Sequence, residues 1–174
     1  MTHSAPRKRS PQEGLITALA VGGVFIIIGL VVALTPNMVE KINGFFGDLT
    51  TVSFPFGGNN STISLVAPAN PAQQIGFFTA IMNFILGVGI LQIVILALRL
   101  GVHSPIGRIA ETVGNLIFWL GAAAAANVFL LAGTQSGWFS FWALLIVLVG
   151  ASLVARGMIV FAGRSMNKPK EPMQ

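Results

Sequence analysis

The chain has 174 residues, of which 54% are hydrophobic and only 9% are charged, and its mean hydropathy is +0.81. A water-soluble domain of this length needs more surface charge, so the composition indicates a protein whose main solvent is the lipid bilayer. The net charge of +5 does not indicate nucleic-acid binding, because the basic residues stand at the ends of apolar runs. Cysteine is absent and histidine occurs twice, so we expect no disulfide, no metal or haem site and no cofactor.

Four apolar stretches are each long enough to cross a membrane as a helix. A hydrocarbon core of about 30 Å needs on the order of 20 apolar residues, and each segment must pair its own backbone N–H and C=O groups. We predict spans at residues 14–35, 74–98, 112–133 and 138–163. The predicted fold class is an all-α integral membrane protein of a cell membrane, a bundle of four antiparallel helices. The remaining segments are the tail 1–13, the outer loop 36–73, the inner loop 99–111, the outer turn 134–137 and the tail 164–174.

The distribution of Lys and Arg gives an orientation, because the cytoplasmic flanks of spans carry the excess of basic residues. Most basic residues lie in the two tails and the 99–111 loop, which fall on one side of a four-span chain. The opposite side has Lys41 alone in its long loop. We therefore expect both termini to be cytoplasmic. A cleavable signal peptide at the first span is the alternative, and the length of the apolar run disfavours it.

The outer loop is too apolar for a flexible tether, so we expect it to fold against the rim of the bundle. Apolar residues recur at helical spacing from Met38 to Leu49, which predicts a short helix lying in the membrane interface. Alternating apolar residues then flank the turn sequence 57–60, which predicts a small β-hairpin. Asn59 and Asn60 each begin a glycosylation sequon; the alternative is that they are simply turn residues.

Small residues at helical spacing are expected to face neighbouring helices. Lipid tails give apolar helices no hydrophobic reason to associate, so close contact must supply the energy. Ala143, Gly150 and Gly157 in the fourth span follow a seven-residue step, which is typical of left-handed antiparallel packing. We expect this face to point inward.

Three uncharged polar residues, Asn83, Gln92 and Asn127, lie well inside the predicted spans. Counting outward from Pro105 places Asn83 and Asn127 at the same depth, so we expect them to face each other as an interhelical amide pair. The alternative is that these two residues and Gln92 line a path for a polar solute.

Arg156 is the most expensive residue in the predicted spans, at up to about 2.5 to 3.5 kcal/mol before snorkelling. Counting across the outer turn places Asn115 at its level and Glu111 one turn nearer the cytoplasm. Arg99 falls beside Glu111 by the same counting around the inner loop, and Arg108 is its i,i+3 neighbour. We predict an inner charged cluster of these five residues. The alternative is that Arg156 reaches lipid headgroups and Glu111 merely caps its helix.

No run of residues resembles a known catalytic site, and acid–base chemistry would fall to Glu111 alone, so we do not expect an enzyme. We expect a non-catalytic accessory, scaffolding or oligomer-forming membrane subunit; the alternative is a small transporter or channel for a polar or anionic solute. The expected partners are the bilayer, anionic lipid headgroups on the cytoplasmic side, and a second copy or another membrane protein. In outline the chain resembles tetraspan proteins such as claudins and tetraspanins, but it lacks the outer cysteines of those families.

Overall fold

The computed structural model describes residues 11–55 and 62–166, which form five α-helices and one two-stranded sheet. The helices are α1 (Pro11–Leu34), α2 (Met38–Gly47), α3 (Ile75–Gly101), α4 (Ile106–Ala125) and α5 (Gln135–Met166), and the strands are β1 (Leu49–Pro55) and β2 (Thr62–Pro68). A 3₁₀ turn at Pro71–Gln74 leads into α3, and a π-helical turn at Ala126–Leu130 ends α4. The structure thus confirms four helices long and apolar enough to cross a membrane, together with a small hairpin.

The four long helices pack in the order α1, α3, α4, α5. Helix α4 shows why this arrangement is a row. Its Thr112 contacts α3, whereas its Gly114 contacts α5, and two residues along a helix are about 200° apart around the axis. Helices α3 and α5 therefore contact different faces of α4 at this level, and at the other end of the helices the rings of Phe78 in α3 and Trp138 in α5 lie 6.1 Å apart. Because α1 packs mainly on α3 and α5 mainly on α4, the four long helices form an open row.

Glycines on the middle helices allow the closest helix contacts. A Cβ added at Gly114 would lie 3.0 Å from the backbone oxygen of Ser152 in α5, and one at Gly87 would lie 2.9 Å from the Ile27 side chain in α1. Gly150 and Gly157 of α5, by contrast, have no neighbour within 4 Å. The prediction that their face points inward was wrong: at the α4–α5 interface Gly114 and Gly121 of α4 receive Ser152 and Leu148, and α5 contributes Gly163, which lies against Ile106.

The segment between α1 and α3, which we call the outer segment, contains α2 and the hairpin. It folds back on the helix ends where α3 begins, as its apolar composition predicted. Phe45 of α2 is buried, and its ring centroid lies 4.6 Å from that of Phe77 and 5.9 Å from that of Trp138. The indole Nε1 of Trp138 donates to the carbonyl oxygen of Val66 in β2 at 3.2 Å. One aromatic cluster therefore joins α2, the hairpin, α3 and α5. Phe46 remains 64% exposed.

Asp48 closes the base of the hairpin. Its carbonyl oxygen accepts from the backbone N–H of Ala69 at 2.8 Å, and its carboxylate accepts from the backbone N–H and the side-chain amide of Asn70, both at 2.9 Å. The strands then pair antiparallel from Leu49 with Pro68 to Pro55 with Thr62. The Asn70 backbone N–H, and secondly its amide, hold the pKa of Asp48 below its ordinary value because they stabilise the ionised form.

Lowering the pH should loosen the outer segment through Asp48. A carboxylate with a depressed native pKa contributes stability above its unfolded pKa of about 3.9 and loses that contribution as the pH falls through the native value. Thermal unfolding in detergent, followed from about pH 6 to about pH 3 across that range, should therefore show a fall in stability that Asp48→Asn makes shallower. Glu40→Gln removes a carboxylate from the same segment as a control. An unchanged pH profile in Asp48→Asn would contradict the assigned role.

Candidate functional site

Polar and charged side chains gather at one end of the row, formed by the start of α1, the α3–α4 loop, the first turns of α4 and the last turns of α5. We call it the inner end. The sequence predicted its charged cluster there, and all five residues of that cluster lie in the described part of the chain. Their contacts divide them into three groups: a buried cation, an exposed ion pair and an exposed cation beside an amide.

The buried cation is Arg99, near the end of α3, which is only 9% exposed. Its Nη1 donates to the carbonyl oxygen of Arg108 and to Oγ1 of Thr112, both at 2.5 Å. Thr112 in turn donates its hydroxyl hydrogen to the same carbonyl oxygen at 3.0 Å. The Nε of Arg99 has no hydrogen-bond partner among the described residues. Arg99 therefore fastens α3 to α4 through neutral oxygen atoms.

The ion pair joins Arg108 and Glu111 within α4, with 3.4 Å between Nη1 and Oε2. The two side chains are 46% and 37% exposed, so the pair contributes about 1 kcal/mol at most. The structure brings Glu111 to Arg108 but gives it no bond to Arg99, because the Arg99 guanidinium points into the α3–α4 interface. The charge of Glu111 is thus already balanced by a neighbour on its own helix.

Arg156 of α5 lies at the level predicted from the sequence. Its Cβ is 3.7 Å from the position that a Cβ on Gly114 would occupy, so Arg156 and Asn115 flank the same stretch of the α4–α5 contact. Both side chains are exposed, and neither forms a hydrogen bond or ion pair with another described residue. Arg156 also lines an open groove of about 400 Å³ on the surface of α5, whose other lining residues are Leu153, Gly157, Val160 and Phe161.

The sequence analysis missed a contact that ties α1 to this end. Ser104, which is buried in the α3–α4 loop, donates its hydroxyl hydrogen to Oε1 of Glu13 at 2.6 Å. The two residues are 91 positions apart. The available signal was the position of Glu13, an acid directly before the first apolar run and on the same predicted side as the loop. Nothing in the sequence singles out Ser104 as its partner.

The polar residues inside the spans do not converge. The amide of Asn127 donates to the sulfur of Met82 at 3.4 Å, so it reaches the predicted depth but not Asn83 itself, which is exposed. Asn83 and Gln92 are nine residues apart on α3, which places them on opposite sides of that helix. Gln92 lies on the α4 side, near Gly89, and is partly buried. The predicted amide pair is therefore not hydrogen-bonded.

Two further predictions concern other groups. The sequons at Asn59 and Asn60 fall outside the described residues. Within residues 11–55 and 62–166, no group of three or more His, Asp or Glu side chains could hold a metal ion.

Comparisons of the chain with protein-family models, with curated proteins and with solved structures found no match. The physical arrangement of the side chains is therefore what bears on the function.

Replacing Thr112 by Val should destabilise the protein by about 1 to 3 kcal/mol, because Arg99 then keeps its charge but loses a hydroxyl acceptor in a buried position. Valine has nearly the same shape, so packing changes little. The free energy of unfolding in mixed detergent measures the effect. Glu111→Gln is the control: it breaks an exposed pair, and the change should stay below about 1 kcal/mol. Equal losses in the two variants would show that Arg99 does not depend on Thr112.

Proposed function

We propose that the protein is a four-span integral membrane protein with both termini in the cytoplasm, and that it is a non-catalytic accessory or scaffolding subunit that associates laterally. The observation that carries the role is the open row of helices. The helices at the two ends of the row, α1 and α5, each leave a large apolar face uncovered. The polar side chains inside the spans do not share one face.

The spacing between the aromatic and charged layers supports the placement in a bilayer. From Phe78 to Arg99 in α3 there are 21 residues, or about 32 Å of helix, and from Trp138 to Arg156 in α5 there are 18, or about 27 Å. Both lengths match a hydrocarbon core of about 30 Å. Tryptophan is enriched at both membrane interfaces, whereas arginine is enriched at the cytoplasmic one, so the inner end is the cytoplasmic end in this proposal.

The interior argues against a solute path. Asn83 and Gln92 lie on opposite sides of α3, and the side-chain amide of Asn127 donates a hydrogen bond to the sulfur of Met82. A cavity of about 240 Å³ between α1, α2 and α3 is lined by apolar side chains, among them Ile28, Met38 and Phe84. A path for a polar or anionic solute needs polar groups that share a water-accessible surface. These observations therefore favour the scaffold over the transporter.

The two end helices of the row, α1 and α5, supply the surface for association. In α1, Phe25 and Ile26 are 69% and 65% exposed, and in α5, Ile146 and Phe161 are 75% and 77% exposed. In a bilayer such faces contact lipid, a second copy or the helices of another membrane protein. A row leaves more of this surface than a closed bundle, since α1 packs mainly on α3 and α5 mainly on α4. The excess of basic residues at the inner end also suits anionic headgroups.

Single cysteines can test the orientation, because the natural chain has none. Thr51 in β1 and His103 in the α3–α4 loop are both exposed. A membrane-impermeant maleimide added to intact cells should label Thr51→Cys at once and His103→Cys only after permeabilisation. The reverse pattern would place the inner end outside the cell and would overturn the proposed orientation.

Extraction of the protein with its surrounding lipid in polymer nanodiscs can test the scaffolding role. Mass measurement of the particles should show more than one copy, or a second membrane protein in a fixed ratio. In liposomes the protein should not increase the flux of ions or small anions, and Asn83→Ala should change neither flux nor thermal stability. A monomer that conducts a solute, and loses that flux in Asn83→Ala while remaining folded, would establish the transporter instead.

A further inference from the structure

We propose that the groove on α5 binds one anionic phospholipid, with its phosphate at Arg156 and one acyl chain along Leu153 toward the middle of the helix. This inference rests on the proposed placement in a bilayer and adds to it a specific ligand and a specific site. Three observations carry it: the shape of the groove, the unbalanced charge beside it, and its depth relative to the aromatic layer.

The groove has the shape that an acyl chain needs. Gly157 lines the groove and presents no side chain there, and Gly150 lies two turns earlier on the same face of α5; nothing lies within 4 Å of the position that a Cβ would occupy on either. Leu153, which is 61% exposed, stands between them, and Phe161 flanks the inner end of the groove. The result is a shallow channel of about 400 Å³ with one charged residue at its rim. An extended hydrocarbon chain can lie along such a channel, and the charge at its rim is what favours a lipid with an anionic headgroup.

The positive charge of Arg156 is not balanced by any of the described residues, so an anion from elsewhere can bind it. Glu111 is the nearest acidic side chain on α4, and it already pairs with Arg108. Glu13 accepts the hydroxyl of Ser104 in another part of the inner end. Arg156 is therefore an exposed cation without a hydrogen bond or ion pair among the residues that the structure describes. A guanidinium binds phosphate oxygens through paired N–H donors, and the neighbouring amide of Asn115 can donate a further hydrogen bond.

The depth of the site selects a lipid over a free anion. The Arg156 backbone lies about 27 Å along α5 from Trp138, close to the inner boundary of the hydrocarbon. An arginine there reaches the headgroup layer with its long side chain while its stem stays among acyl chains. A phospholipid satisfies both parts of this environment at once, whereas an inorganic anion would leave the apolar channel empty. A partner helix carrying a carboxylate would also balance the charge, and it would exclude both lipids from the groove.

A fluorescent reporter in the groove can test the site. Leu153→Trp places an indole one turn from Arg156, and the high exposure of Leu153 leaves room for it. The protein is reconstituted in nanodiscs that hold phosphatidylcholine and phosphatidylglycerol in a fixed ratio, with brominated chains on one lipid or the other. Quenching relative to the parent protein, which carries the natural tryptophans, reports which lipid occupies the groove. We expect brominated phosphatidylglycerol to be enriched about fivefold over brominated phosphatidylcholine.

Matched variants separate the site from the general charge of the inner end. Adding Arg156→Gln should remove the enrichment, whereas adding Arg164→Gln, the same loss of charge two turns further along α5, should leave most of it. Equal quenching by the two brominated lipids in the parent reporter would overturn the lipid site and leave the bilayer placement intact. Absence of quenching by either lipid would show that a protein partner covers the groove or that this face is not in lipid. Mass measurement of the same nanodiscs distinguishes those two cases, since the first requires a second protein in the particle, and either one overturns the inference.

Discussion

Close contact between helix backbones is the interaction on which the rest of this structure depends. Helices as apolar as these gain little from leaving hydrocarbon for one another, so association requires contact closer than ordinary side chains allow. The middle helices provide it: Gly89 of α3 receives Leu120 of α4, and Gly114 of α4 lies against the Ser152 backbone of α5. On α3, Gly87 meets Ile27 of α1 and Gly89, about 200° away around the axis, meets α4, and therefore the helices extend into a row. The open faces of α1 and α5, the shallow groove on α5 and the absence of a shared polar interior all follow from that arrangement.

The inner end is organised by hydrogen bonds to neutral atoms more than by ion pairs. Arg99 is buried against a carbonyl and a hydroxyl oxygen, and Ser104 in the adjoining loop holds the carboxylate of Glu13. These bonds connect three of the four long helices within a few residues of the α3–α4 loop. Among the side chains that the structure describes at this end, Arg108 and Glu111 balance each other at the surface, whereas the exposed Arg156 has no such partner. That imbalance is a property of the assembled helices, and it gives the inner end its most specific chemical feature.

The other end of the row, where α2 and the hairpin lie, is held mainly by aromatic packing and only secondly by hydrogen bonds. Aromatic rings pack α2 and the hairpin onto α3 and α5, and Asp48 and Trp138 add hydrogen bonds that fix the hairpin to that surface. The two ends are separated by about the thickness of a hydrocarbon core, counted along either α3 or α5. Side-chain chemistry and helix length thus agree on one position of the row across a bilayer. This agreement is stronger support for the proposed placement than hydropathy alone, because it depends on where individual residues lie.

The sequence by itself determined the number and order of the long helices, the short helix that follows α1 and the hairpin, while the structure begins α4 at Ile106, six residues before the predicted span. Hydropathy, helical spacing and turn chemistry are local properties, so they can be read without knowing what each segment touches. Counting along the chain also placed Arg156 near Asn115 and Asn127 near the depth of Asn83, because helical rise is nearly constant. The tertiary structure alone decided how each helix is rotated. Gly150 therefore faces outward, Asn127 meets Met82, and Glu13 finds Ser104. The rotation of a helix about its own axis depends on all of its contacts with neighbouring helices, so it cannot be predicted from the sequence of that helix alone.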